Sequence, residues 1–156
     1  MRARVIINPS SGRQTLQRLA ERIVDRLLAD GTFTHVDTVI TRKGGDAYQA
    51  ARFFQTWQFD LILAVGGDGT VNEVISGLLD GQHQTPLAIL PAGTVNDFAY
   101  ALNLPRTEGK FLRLIKKFKT QAIDVGRAND RYFLNVAAAG LLTDVAYKVP
   151  VDAKTV

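Results

Sequence analysis

Leu61-Ile62-Leu63-Ala64-Val65-Gly66-Gly67-Asp68-Gly69-Thr70-Val71-Asn72-Glu73 changes character halfway along. Leu61 to Val65 is apolar at every position, which suits a central parallel strand covered on both faces. Three glycines then surround one aspartate, and helical spacing resumes from about Thr70 to Leu79. A buried strand feeding a helix through a glycine-rich turn is half of a βαβ unit, and further halves lie on either side. Upstream, Val5-Ile6-Ile7 reads as a strand closed by Asn8-Pro9-Ser10-Ser11-Gly12. Leu16, Leu19, Ala20, Ile23, Val24, Leu27 and Leu28 mark one face of a helix from Gln14 to Ala29, stopped by Asp30-Gly31. Val36, Thr38 and Ile40 alternate as a second strand, and Asp46 can cap a helix through Tyr48, Ala51 and Phe54. Downstream, Leu87 to Leu90 is a fourth strand, followed by a short helix from Asn96 or Asp97 that Pro105 closes. The expected fold is α/β: an open, mostly parallel sheet with helices on both faces.

After Lys119 the pattern changes. Ile123, Val125, Tyr132, Leu134 and Val136 alternate around Asn129-Asp130 as an antiparallel hairpin. The chain divides accordingly into an α/β domain over 1–119 and, over 120–156, the beginning of a second, mainly β domain that is incomplete. Open edges on that hairpin predict a homo-oligomer built through the truncated β segment.

The composition narrows the functions. The 156 residues are 46% hydrophobic and 22% charged, with 19 Lys and Arg against 15 Asp and Glu, a balance of +4. That is enough apolar matter for a core, and too weak a positive excess to argue for nucleic acid. No cysteine is present, which removes thiolate chemistry and Cys-ligated zinc and agrees with an intracellular address. Neither His35 nor His83 belongs to a metal-ligand sequence motif. No apolar run approaches the roughly 20 residues that span a bilayer, and the first residues hold no signal-peptide core. Helix packing is the plain expectation for Trp57 and for the Phe53-Phe54 pair, and packing against the sheet for Phe111, Leu112, Leu114, Ile115 and Phe118. Lys110, Arg113, Lys116, Lys117 and Lys119 read as a solvated face, with membrane contact as the lesser reading.

Ligands of open α/β sheets bind outside the carboxyl ends of the strands. Gly66, Gly67 and Gly69 let main chain approach an anion, and the helix that follows offers free N–H groups. Asp68 adds a carboxylate, which beside a polyphosphate implies Mg²⁺ or a transferable proton. It can equally be an N-cap. Pro91-Ala92-Gly93-Thr94-Val95-Asn96-Asp97 brings a hydroxyl, an amide and a second acid to the same edge. Asn8, Ser10, Ser11, Gly12, Arg13 and Thr41 supply further donors. Neither a P-loop nor a dinucleotide fingerprint is present.

These motifs, together with Ile123-Asp124-Val125-Gly126 and Arg131-Tyr132-Phe133-Leu134-Asn135, resemble the diacylglycerol kinase catalytic domain family, which is related to sphingosine and ceramide kinases. Gly66-Gly67-Asp68-Gly69-Thr70 is also similar to NAD kinase and phosphofructokinase loops. Asn72-Glu73 and Gly93-Thr94-Val95-Asn96-Asp97 resemble the lipid kinase branch, and Gly140-Leu141-Leu142-Thr143-Asp144-Val145 the soluble diacylglycerol kinases of Gram-positive bacteria.

The resemblance implies phosphoryl transfer from ATP to diacylglycerol, giving phosphatidic acid, with peripheral contact at the inner face of the membrane. Asn8, Pro9, Ser10, Ser11, Gly12, Arg13, Thr41, Gly66, Gly67, Asp68, Gly69, Thr70, Val71, Asn72, Glu73 and Thr94 match nucleotide-binding positions. Asp68, Asp97 and Asp124 match catalytic acids tied indirectly to Mg²⁺. Arg13 stands where relatives often carry lysine. Family members are about twice as long, and their second domain supplies the acid that takes the lipid hydroxyl proton. The resemblance therefore implies a general base beyond Val156 and a nucleotide-binding part that is inactive alone. A NAD or other small-molecule kinase is the enzymatic alternative, and a non-catalytic nucleotide-binding regulatory module the other.

Overall fold

Four parallel strands form one sheet: β1 (Arg2–Ile7), β2 (His35–Ile40), β3 (Leu61–Gly66) and β4 (Leu87–Pro91), in the order β2-β1-β3-β4. The computed structural model describes residues 1–11, 14–93 and 95–134. Strand parity sorts the core. Ala3, Val5, Ile7, Leu61, Leu63 and Val65 turn to one face, where α1 (Gln14–Ala29) brings Ala20, Ile23 and Leu27 and α5 (Glu108–Lys117) brings Phe111 and Ile115. Ile6, Ile62 and Ala64 turn to the other, against Ala47 and Ala51 of α2 (Asp46–Arg52) and Val74 and Leu78 of α3 (Asp68–Asp80). Every residue of β3 is buried, as a strand apolar on both faces requires. Burying one such side chain contributes about 1.5–3 kcal/mol, so losing the alternation would outweigh any single loop contact.

Arg4 is the charged exception within β1. Its guanidinium lies 2.6 Å from Asp37 Oδ2 on the neighbouring strand, donates to Ala50 O at 2.9 Å, and sits 4.6 Å from the Phe59 ring centroid. A half-buried cation persists there because each side of it has a partner.

Several element ends differ from the expectation. Helix α3 begins at Asp68, two residues before Thr70. Helix α2 stops at Arg52, which leaves Phe54 outside it, and its N-cap is Gly45 with φ +87° rather than Asp46. Asp46 instead accepts the N–H groups of Arg42 at 2.8 Å and Lys43 at 3.2 Å. Helix α4 (Asp97–Ala101) ends before Pro105, at a turn where Asn103 has φ +52° and Leu104 donates to Ala99 O at 2.9 Å. The stop after α1 is as read: Gly31 has φ +75°, and Phe33 N–H reaches Leu27 O at 2.7 Å.

Packing corrects three aromatic expectations. Phe53, Trp57 and Phe118 are exposed at 64%, 72% and 40%. Phe54 alone of its pair packs, edge-on to Phe59 with ring centroids 5.5 Å apart. Phe118 follows the last residue of α5 in the left-handed conformation, which turns it off the buried stripe of Phe111 and Ile115.

The hairpin forms from β5 (Gly126–Ala128) and β6 (Arg131–Phe133) around Asn129. Ile123, Val125 and Leu134, expected in its strands, lie outside them. Val125 and Leu134 pack against Val71, Ile75, Ile89 and Phe98, so part of its apolar surface finds cover on the α/β unit. Asn135, Val136, the Gly140 to Val145 motif and the residues on to Val156 fall outside the described residues, and with them much of the expected second domain.

Candidate functional site

The chain leaves β1 for β2 on one side and later adds β3 on the other, so the topological switch point lies between the carboxyl ends of β1 and β3. Asn8 to Ser11 and Gly66 to Thr70 meet there. Asn8 N–H continues the ladder to Val65 O at 2.9 Å, and its Oδ1 accepts from Ser10 N–H at 3.0 Å, setting the 3₁₀ turn Pro9–Ser11. Asn8 Nδ2 donates to Thr70 Oγ1 at 2.9 Å, and Ser11 Oγ lies 3.2 Å from the same oxygen. Thr70 is only 4% exposed. Its hydroxyl thus ties the loop after β1 to the turn after β3.

The glycines of that turn have separate jobs. A Cβ on Gly66 would stand 2.5 Å from Thr70 Cβ, and one on Gly67 would stand 3.2 Å from Gly93 Cα. Only Gly69 faces open space. The N–H groups of Asp68, Gly69 and Thr70 precede the first intrahelical bond, which Val71 makes to Gly67 O at 3.0 Å.

Asp68 caps a helix, but not its own. Its two carboxylate oxygens accept the N–H groups of Asp97 and Phe98, each at 3.2 Å, at the start of α4. Asn96 occupies the N-cap position of α4 in the left-handed region, φ +56°, and its side chain turns back to Gly93, accepting that N–H at 2.8 Å. The acid that serves α4 therefore comes from the neighbouring helix. Asp97 itself is exposed.

Thr41 is buried at 6% and donates its N–H to Ile7 O at 2.9 Å. Glu73 accepts Gly45 N–H at 3.1 Å. Val71 belongs to the core beside Ile75 and Phe98 rather than to the ligand edge. Asn72 is half-buried and Pro9 exposed. Asp124 is exposed, and among the described residues no group of three or more His, Cys, Asp or Glu side chains could hold a metal ion. Gly12, Arg13 and Thr94 fall outside the described residues, as does the general base expected beyond Val156. The carboxyl of Asp46 is held below its ordinary value, chiefly by the Arg42 N–H.

The structure adds what spacing could not show. Asp68, Thr70 and Glu73, all on the first turns of α3, bond the loops after β4, β1 and β2 respectively. Their offsets of two and three residues were visible, but their partners depend on strand order.

No helix of the described residues is long and apolar enough to cross a membrane. The diacylglycerol kinase catalytic domain family matches residues 2–128. A diacylglycerol kinase of Bacillus subtilis is 40% identical across 99% of this chain and 50% of its own length. One of Staphylococcus epidermidis is 39% identical across 99% of this chain and 48% of its own. The chain thus spans about half the length of the curated relatives it matches. A crystal structure of a diacylglycerol kinase from Bacillus anthracis is similar with a TM-score of 0.72 and 36% identity, over 86% of this chain and 46% of that one.

Proposed function

The chain belongs to the diacylglycerol kinase catalytic domain family, and on that premise we propose that it is the nucleotide-binding part of an ATP-dependent lipid kinase. The γ-phosphoryl group of ATP passes to the free hydroxyl of diacylglycerol, ADP leaves, and the hydroxyl proton goes to an acid that we place beyond Val156, in the half of the relatives' length that this chain does not span. What supports this reading most is the switch point, where Asn8, Ser11 and Thr70 are bonded to one another beside the open Gly69 and the N–H groups of α3 that precede its first intrahelical bond. Phosphoryl transfer asks chiefly for positioned donors and charge neutralisation, and that edge supplies the donors.

A Mg²⁺ ion that arrives with a nucleotide takes most of its ligands from phosphates and water and needs only one or two carboxylates. Asp97, exposed, and Asp68, already bonded to α4, are the acids of this edge that would hold it, directly or through water, with Asp124 as a third from the connector before β5. When bound, the ion would offset charge on the transferring group. Gly12, Arg13 and Thr94 belong to the same proposed cradle. The enzyme works as a cytoplasmic protein that touches the inner membrane face peripherally to reach its lipid.

Titration calorimetry with ATP–Mg²⁺ and a radiolabelled phosphate-transfer assay on diacylglycerol test this together. Nucleotide binding with negligible lipid turnover by this chain is expected. Robust turnover would mean that the proton acceptor lies within it, and phosphorylation of NAD in place of lipid would move the assignment to a small-molecule kinase.

A further inference from the structure

An asparagine at the N-cap of a helix ordinarily gives its side-chain oxygen to an N–H of the first turn. Asn96, at the N-cap of α4, makes no such bond. The N–H groups of Asp97 and Phe98 go to the Asp68 carboxylate instead, which releases the Asn96 amide from capping. Both of its polar atoms turn to one residue: Oδ1 accepts Gly93 N–H at 2.8 Å, and Nδ2 donates to Gly93 O. An amide is the neutral side-chain group that can accept from an N–H and donate to a C=O at once. Asn96 is 8% exposed, so its side chain acts on the protein through Gly93.

This clamp closes the span between two fixed points. Before it, Ala92 N–H is bonded to Gly66 O at 2.9 Å, and Gly93 stands so close to Gly67 that an added Cβ would come within 2.6 Å of Gly67 Cα. After it, Asp68 holds the start of α4. Between them the backbone reverses at Asn96, whose φ of +56° is a left-handed conformation that asparagine accepts more readily than most side chains. The exposed Asp97 follows directly, so the direction in which the chain leaves Gly93 decides where that carboxylate stands.

We propose that Asn96 is a positioning residue: by clamping Gly93 at both its N–H and its C=O, it fixes Asp97 beside Gly69 and the first N–H groups of α3. This rests on the nucleotide-binding reading above, in which Asp97 is one of the acids that would hold the ion arriving with the nucleotide.

Asn96→Gly removes the amide while keeping the left-handed conformation accessible. It is compared in this chain with Asp97→Ala, with the double variant, and with Ile115→Val, which trims the core under α5 and serves as the control for stability alone. The measurements are Gly93 amide hydrogen exchange without ligand, thermal unfolding, and calorimetric titration with ATP–Mg²⁺. Asn96→Gly and Ile115→Val should each lower Tm by about 2–6 °C. Only Asn96→Gly should speed Gly93 exchange and weaken ATP–Mg²⁺ by about tenfold, the scale of one to two hydrogen bonds, with Ile115→Val staying within about twofold. In the Asp97→Ala background, Asn96→Gly should weaken binding by less than about twofold more, because the group it positions is gone. Faster Gly93 exchange with unaltered ATP–Mg²⁺ affinity would overturn the positioning role, as would an Asp97→Ala chain that binds like the unmodified one. A tenfold loss repeated in full in the Asp97→Ala background would show that the amide acts through some other group. An unmodified chain that binds no ATP would overturn the nucleotide-binding reading and this proposal with it.

Discussion

The turn after β3 and the turn after β4 are built from similar residues: a buried strand, glycine, and an aspartate at the first position of a helix. They are held differently. The first is bonded outward in three directions, through Asp68, Thr70 and Glu73. The second leans on the first, since α4 takes its cap from Asp68 and Gly93 lies so close to Gly67 that a Cβ added at Gly93 would meet Gly67 Cα. Asp97, the counterpart of Asp68, is exposed. An aspartate in a glycine-rich turn can thus be an anchor or a free acid, and which it becomes depends on the neighbouring strand.

Substitution at the glycine contact should divide the two turns most sharply. A Cβ on Gly93 would come within 2.6 Å of Gly67 Cα and 2.9 Å of Asn96 Oδ1, against 3.2 Å for the reverse substitution. Gly93→Ala should cost about 2–3 kcal/mol and Gly67→Ala about 1 kcal/mol, measured by urea unfolding. Gly67 has φ −88°, so backbone strain adds nothing there. Equal costs would mean that the two backbones part easily.

Thr70→Val comes next. It keeps the shape, removes the oxygen that joins Asn8 to Ser11, and leaves a partly buried amide donor unsatisfied. A loss of about 1–2 kcal/mol is expected, with faster amide exchange in the Pro9–Ser11 turn. The aspartates should separate by less. Asp68→Ala should cost about 1 kcal/mol and loosen α4, whereas Asp97→Ala should stay within about 0.5 kcal/mol, so that its effect appears in nucleotide binding. If Asp97→Ala proved the more destabilising, the dependence between the turns would run the other way.

The smallest effect provides a control on carboxylates that accept backbone N–H groups away from the site. Asp30, bonded to Lys116 and to Thr32, has its pKa lowered from 3.8 to about 2. Its folded value lies below the unfolded one, so its contribution is complete above about pH 4 and is lost as pH falls towards 2. An NMR titration of the Asp30 carboxyl should show this value, and Lys116→Ala should move it back up without disturbing Asn8, Gly69 or Asp97.

Residue spacing reveals much of this fold because its periods are clean. The unbroken Leu61–Val65 run marks a strand buried on both faces, and the spacing from Leu19 to Leu27 marks α1. The strand ends that carry the site follow from the same alternation. The bonding at those ends does not. Asp46 and Asp68 both look like caps of their own helices, yet each sits one residue inside, where its carboxylate reaches other backbone. Glu73 is legible as a polar residue near the site, but its Gly45 partner requires α2 to lie beside α3. Phe53, Trp57 and Phe118 mislead for a related reason: hydrophobicity identifies a candidate for burial, while helix ends decide whether it arrives.

An amide-resolved NMR titration of this chain with ATP–Mg²⁺ tests the assignment of the switch point most directly. Saturable shifts are expected at Asn8, Ser10, Ser11, Gly69 and Asp97 and along the 41–45 loop, with α1 and α5 unmoved. Shifts confined to the apolar groove beside β4, lined by Leu102, Leu104, Phe118 and Ile123, or no shifts at all, would contradict it.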